Sequence, residues 1–225
     1  MVVRYQINNL VEYCLRIFFH LLYNQLAWFY DVVADTVSLG QWKDWISSTA
    51  NDLDGPFILE VGHGPGHLIA AVKERGLRII GIDLSESMGK MAYRRIRDAG
   101  YEPSLVRGSA TSLPYKNASF HQLISTFPSE FILDKSTCDE AYRVLVPGGV
   151  FMILPLVWIC GQSPLERFFG YIYSITGQSP EWDPSYTLPL TQAGFRIDCK
   201  ERVVKSGKLL FIYAQKPTIG KIAKE

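Results

Sequence analysis

An α/β fold built on a parallel sheet covered on both faces is what this sequence predicts, and three observations predict it. Short apolar runs recur along the chain, and most are followed by a stretch of helical periodicity. The first run, Ile58-Leu59-Glu60-Val61, feeds straight into a turn carrying Gly62, Gly64 and Gly66. The second, Arg78-Ile79-Ile80-Gly81-Ile82-Asp83-Leu84, ends in an acid about 20 residues beyond that turn, the spacing of a strand–helix–strand unit whose second strand closes on a carboxylate. Continuous apolar runs, as opposed to alternating ones, suit strands buried on both faces.

Each element follows in order. Residues 1–54 read as a helical extension ahead of the sheet. Asn8, Glu12, Arg16, His20 and Asn24 recur every four positions and form one narrow polar stripe. The rest of that helix is apolar, including Leu15, Phe18, Phe19, Leu22 and Phe29, so it must bury most of its circumference. Three coverings suit it: the catalytic domain beneath it, as a lid; a second subunit, making a homodimer; or a membrane surface, as a peripheral contact. The lid is the expected one. The polar interruptions argue against a membrane-spanning helix, and no cleavable leader is recognisable. A break near Ser38-Leu39-Gly40 precedes a second helix at 41–49, and the cluster Asn51-Asp52-Leu53-Asp54-Gly55-Pro56 turns the chain into the first strand.

From there the alternation predicts strand 57–61, helix 66–75, strand 78–83, helix 86–99 and strand 104–107. Strand 120–126, helix 134–145 and strand 149–154 come next, the last entered through Pro147-Gly148-Gly149. An aromatic-rich stretch with Trp158, Phe168, Phe169, Tyr171 and Tyr173 is expected to be a lid-like insertion over 155–185. Phe195–Val204 and Lys208–Gln215 flank a turn and read as a closing hairpin. The division is therefore 1–54, 55–217 with its insertion, and a tail over 218–225.

Composition narrows the function classes. The net charge of +1 provides no basic field for a polyanion, so a nucleic-acid partner is not expected. Arg94-Arg95-Ile96-Arg97 reads as a solvated helix face. Cys14, Cys138, Cys160 and Cys199 show neither C-x-x-C pairing nor metal spacing with histidine, which suggests reduced thiols, a cytoplasmic setting and no metal centre.

The glycine turn carries the chemistry. Glycines allow positive φ and leave no Cβ between the main chain and a ligand. The free N–H groups of the helix that follows favour an anionic or polar group. Spacing alone does not separate a dinucleotide from another adenosine cofactor. The turn runs G-x-G-x-G and places His67 where the dinucleotide pattern takes a small residue, which weighs against a nicotinamide-dependent oxidoreductase.

Four motifs in order then carry a resemblance: E-V-G-H-G-P-G (60–66), G-I-D-L-S (81–85), the stretch from Gly108 to Thr126, and R-V-L-V-P-G-G (143–149). Over roughly residues 55–215 the chain resembles the class I S-adenosylmethionine-dependent methyltransferases, in the branch of ubiquinone/menaquinone-type enzymes. The resemblance implies a Rossmann-like seven-stranded sheet with its last strand antiparallel, S-adenosyl-L-methionine as cofactor, and a small, apolar acceptor. It also implies roles. Glu60 approaches the cofactor's methionine amino group, while Gly62, His63 and Gly64 line its methionine and ribose with backbone. Gly66 permits close packing, Asp83 holds the ribose diol, and Leu84 covers the adenine. Ser109 stands where many relatives carry an acid, so its bond to the adenine amino group would lack charge assistance; the Ala110 N–H remains available to the ring.

Residues from Thr126 to Phe131 are expected to face the transferred methyl, and they do not spell the N/D-P-P-Y/F motif of amino-nitrogen methylation. Glu130 and His63 are the candidate catalytic groups. Besides the nicotinamide reading, Ser109 and the uncertain base leave a non-catalytic scaffold of the same fold as a further alternative.

Overall fold

The computed structural model describes residues 30–38, 40–159, 183–204 and 207–218. Most of the expected N-terminal helix, most of the 155–185 insertion and nearly all of the tail lie outside these residues. Helices α1 (Tyr30–Val37) and α2 (Trp42–Ala50) are followed by β1 (Ile58–Val61), α3 (His67–Glu74), β2 (Ile79–Asp83), α4 (Glu86–Asp98) and β3 (Leu105–Arg107). Then come β4 (Phe120–Thr126), a 3-10 turn at Glu130–Leu133, α5 (Lys135–Val144) and β5 (Leu145–Ile159). A second 3-10 turn at Pro184–Thr187 leads to α6 (Leu188–Gln192), β6 (Arg196–Val204) and β7 (Gly207–Gln215). The expected boundaries from β1 to α5 hold to within about a residue.

The seven strands form one sheet in the order β3-β2-β1-β4-β5-β7-β6. β1 pairs in parallel with both β2 and β4, and β7 runs antiparallel between β5 and β6. The order reverses between β1 and β4, and ligands of open α/β sheets settle beyond the carboxyl ends of the strands at such a switch. All four residues of β1 are buried, as its central position demands. Trp45, Ile46 and Ala50 of α2 share a core with Leu68, Ile69 and Val72 of α3, so α2 is tied to the sheet through the helix that leaves the glycine turn.

β5 departs from expectation. Pro155 has no N–H to give a ladder and suggested an end at Leu154. The strand instead continues to Ile159, and the register against β7 shifts between Ile153 and Leu156. That irregularity absorbs the proline.

Candidate active site

The three glycines of the turn are left-handed, with φ of +74° at Gly62, +50° at Gly64 and +82° at Gly66, yet they serve different ends. A Cβ on Gly62 would come within 3.1 Å of Phe131, whose ring sits over the turn. A Cβ on Gly66 would meet Ala92 Cβ at 2.7 Å and its Cα at 2.9 Å, so this glycine lets α3 and α4 approach each other. Around Gly64 there is nothing within 4 Å. Open space beside a left-handed backbone is what close approach by a ligand needs. Gly64→Ala is therefore expected to cost about 1 kcal/mol of stability, the penalty of the left-handed conformation, while weakening nucleoside binding by at least ten-fold. Thermal melts and titration with S-adenosylhomocysteine check the two effects separately.

The turn is held from β2. Asp83 Oδ2 accepts the Gly64 N–H at 2.8 Å and Oδ1 accepts the Ser85 N–H at 2.8 Å, while Gly62 donates to the Ile82 carbonyl at 2.8 Å. Each carboxylate oxygen retains acceptor capacity for further donors. Ser85 also accepts from the Met88 N–H and so caps α4. The cap and the carboxylate are adjacent residues serving different partners.

Glu60 is 1% exposed, and its Oε2 has no hydrogen-bond partner among the described residues. Burial, reinforced by the nearby Asp83 charge, pushes its carboxyl well above the ordinary range. A buried carboxylate with an open oxygen fits a cationic partner. His63 is 4% exposed and donates from Nδ1 to the Gly64 carbonyl at 2.7 Å, which assigns the proton to Nδ1. Burial pulls its pKa below the usual value, against the opposing pull of Asp83. The ring lies against Gly81, where an added Cβ would stand 2.9 Å from its Cδ2. These contacts give His63 a loop-shaping role.

The structure brings together Glu60, Gly62, His63, Gly64, Gly66 and Asp83. Leu84 stands beside them with 68% of its surface exposed, unusual for a large apolar side chain flanking this turn. Ser109 turns its hydroxyl to its own loop, at 2.7 Å from the Thr111 hydroxyl and accepting the Thr111 N–H. Ala110 packs against the core. Thr126 ends β4 at the carboxyl edge, and Glu130 opens the 3-10 turn after it; the Glu130 side chain lies outside the described residues.

Sequence reasoning missed several participants. Ser125, fully buried, donates to the Val61 carbonyl at 2.6 Å and joins β4 to the residue before the turn. Phe127 has φ of +47°, a strained value for an aromatic residue. Its ring lies 4.5 Å from that of Trp42, so α2 packs against the β4 carboxyl end.

Arg95 corrects the expectation of a wholly solvated basic face. Its guanidinium donates to the Pro65 carbonyl within the turn and to Asp31 Oδ2 on α1, whereas Arg94 and Arg97 are exposed. His67 donates from Nε2 to the other Asp31 oxygen at 2.9 Å. That hydrogen bond is the main influence holding the Asp31 carboxyl below its usual value; partial burial opposes it and Arg95 assists. No local pattern announces a contact spanning 64 residues.

Among the described residues no helix is long and apolar enough to cross a membrane. A family model described as a methyltransferase domain matches residues 58–149, the span from β1 into β5. The chain is 31% identical over 162 residues to a demethylmenaquinone methyltransferase of Symbiobacterium thermophilum, covering 67% of this chain and 62% of that protein. It is 28% identical over 167 residues to a ubiquinone/menaquinone biosynthesis C-methyltransferase of Psychromonas ingrahamii, covering 67% of this chain and 63% of that one. The chain thus spans less than two thirds of the length of both relatives. Among solved structures, an S-adenosylmethionine-dependent methyltransferase fold from Methanococcus maripaludis superposes with a TM-score of 0.61 at 16% identity, over 86% of this chain and 93% of that one. At that identity the likeness speaks for the fold alone.

Proposed function

We propose that this chain, which belongs to the class I S-adenosylmethionine-dependent methyltransferases, transfers the sulfonium methyl group to a small, apolar acceptor of quinone type. One observation carries the reading. Gly64 presents open left-handed backbone within a turn braced by Asp83, next to the buried, open-oxygen carboxylate of Glu60.

Those residues fit S-adenosylmethionine. Glu60 would receive the methionine ammonium, and its raised pKa means that such a cation is what makes the ionised form favourable there. Asp83, already fixed by two backbone donors, would accept the ribose hydroxyls without having to be ordered on binding. The exposed Leu84 would be covered by the adenine. Ala110 would offer its backbone to the ring, and Ser109 would contribute less than an acid because its hydroxyl is shared with Thr111.

When bound, the cofactor supplies an activated methyl, so the protein's task is alignment and exclusion of water. Thr126 and the strained Phe127 border the space beyond β4, and the Trp42–Phe127 pair gives it an aromatic wall suited to a flat, apolar acceptor. Glu130 remains the proposed orienting or proton-accepting group at the entrance to the 3-10 turn. The quinone class is favoured by the two relatives, whose names carry that activity. The comparisons offer no support to a nicotinamide-dependent oxidoreductase, and the structure gives His67 a partner in place of the small residue such a site uses.

The test is transfer of a radiolabelled methyl group to a panel of demethylated quinones, isoprenoid lipids and polar amines. The expected product is a methylated apolar compound. Transfer confined to polar amines would remove the quinone reading, and failure to bind S-adenosylhomocysteine by calorimetry would remove the methyltransferase reading.

A further inference from the structure

We propose that Asp31 is a positioning residue for the cofactor turn, coupling the segment ahead of the sheet to cofactor retention through Arg95 and His67. The role in retention rests on the cofactor reading above. The geometry that suggests it does not.

Pro65 lies between two left-handed glycines, Gly64 and Gly66, in a turn with little side-chain packing of its own. Its backbone is kept in place by few bonds: the Gly64 N–H to Asp83 on one side and the Gly66 N–H to the His63 carbonyl at 3.0 Å on the other. Arg95 adds the tie at the centre, on the Pro65 carbonyl itself. A guanidinium holds its planar fork in one orientation only when its remaining donors are occupied. Asp31 occupies them with Oδ2, and with Oδ1 takes the proton of His67, the first residue of α3. One carboxylate therefore gathers the loop's brace and the head of the helix that the loop opens. Arg95 is 24% and His67 14% exposed at the side chain, so the pair is substantially shielded from solvent.

α1 has little else to fix it. Of its described side chains, Val32, Asp35 and Thr36 are exposed, while Asp31 makes the ties to α3 and α4. The segment thus meets the body through a polar contact centred on the turn. Loss of that contact leaves the sheet and its core intact and frees the Pro65 carbonyl.

Hydrogen exchange and ligand titration on the full chain test this with Asp31→Asn, Arg95→Gln and the double variant. In the cofactor-free protein, Asp31→Asn is expected to speed amide exchange at residues 62–66 by about ten-fold while the β4 amides, including Leu123 and Ile124, keep wild-type protection. Its Kd for S-adenosylhomocysteine is expected to rise by about ten-fold, with kcat unchanged at saturating cofactor. The double variant should be no worse than Arg95→Gln alone, because both residues act on the same carbonyl. Unchanged exchange at 62–66 in Asp31→Asn overturns the proposal. So does acceleration that is equal in β4, which marks general stability only. If the wild-type chain itself fails to bind S-adenosylhomocysteine, the cofactor reading falls, and the exchange experiment still decides whether Asp31 braces the turn.

Discussion

Gly66→Ala is expected to unfold the protein on the order of 5–15 °C earlier than wild type. Two costs combine. An alanine at φ of +82° pays roughly 1–2 kcal/mol for the left-handed conformation. Its methyl would also stand 2.7 Å from Ala92 Cβ and 2.9 Å from Ala92 Cα. The second contact is with main chain, which no rotamer change relieves, so α3 and α4 must separate, at about 1–3 kcal/mol for such overpacking. The total of roughly 2–5 kcal/mol converts at about 2–4 °C per kcal/mol for a domain of this size. Ala92→Gly in the same chain should restore a good part of the loss, because it removes the opposing methyl. Differential scanning calorimetry of the single and double variants checks this; a wild-type Tm in Gly66→Ala would mean that the two helices do not meet there.

Glu60→Gln is expected to produce opposite effects on two properties. A carboxyl whose folded pKa is raised opposes folding when ionised. That penalty is absent below the unfolded pKa, near pH 4, and grows as the pH rises from there toward the folded value. Glutamine keeps the shape and removes the charge. The cofactor-free variant should therefore melt higher than wild type at pH 7–8 and equal to it at about pH 4. Cofactor affinity should fall by about 2–5 kcal/mol, the usual cost of truncating one side of a buried charge pair. In the wild type an ammonium partner favours the carboxylate, so affinity should climb with pH until the free-state pKa is passed; the variant should lose that slope. Melting curves and calorimetric titrations across pH separate the outcomes. A variant that binds S-adenosylmethionine as tightly as wild type would take Glu60 out of the site.

These two positions mark the limits of what the sequence made legible. Gly64 and Gly66 look alike in the G-x-G-x-G turn, and both were readable as cofactor glycines. Only the packed structure separates them, because the difference is the presence of Ala92 next to one and open space next to the other. Glu60 was readable as a site residue from the resemblance; that its Oε2 is buried and without a partner depends on the strands on either side. Leu84 stands exposed beside the turn as a cofactor-covering residue would, whereas the Ser109 hydroxyl is engaged within its own loop. Arg95 was read as solvated because its helix neighbours are, and helical periodicity says nothing of a carboxylate 64 residues earlier.

By itself, the sequence determined the alternation of strands and helices, the glycine turn with its carboxylate at Asp83, and the family. All of these are local or short-range properties: apolar periodicity, backbone freedom at glycine and fixed motif spacing. Tertiary structure alone decided that β7 enters between β5 and β6, that Pro155 sits inside a strand, that Phe127 takes a left-handed backbone against Trp42, and that Asp31 reaches the turn through Arg95. Each of those depends on which distant groups share a surface once the core has closed, and a side chain's partner is chosen by that closure more than by its neighbours in the chain.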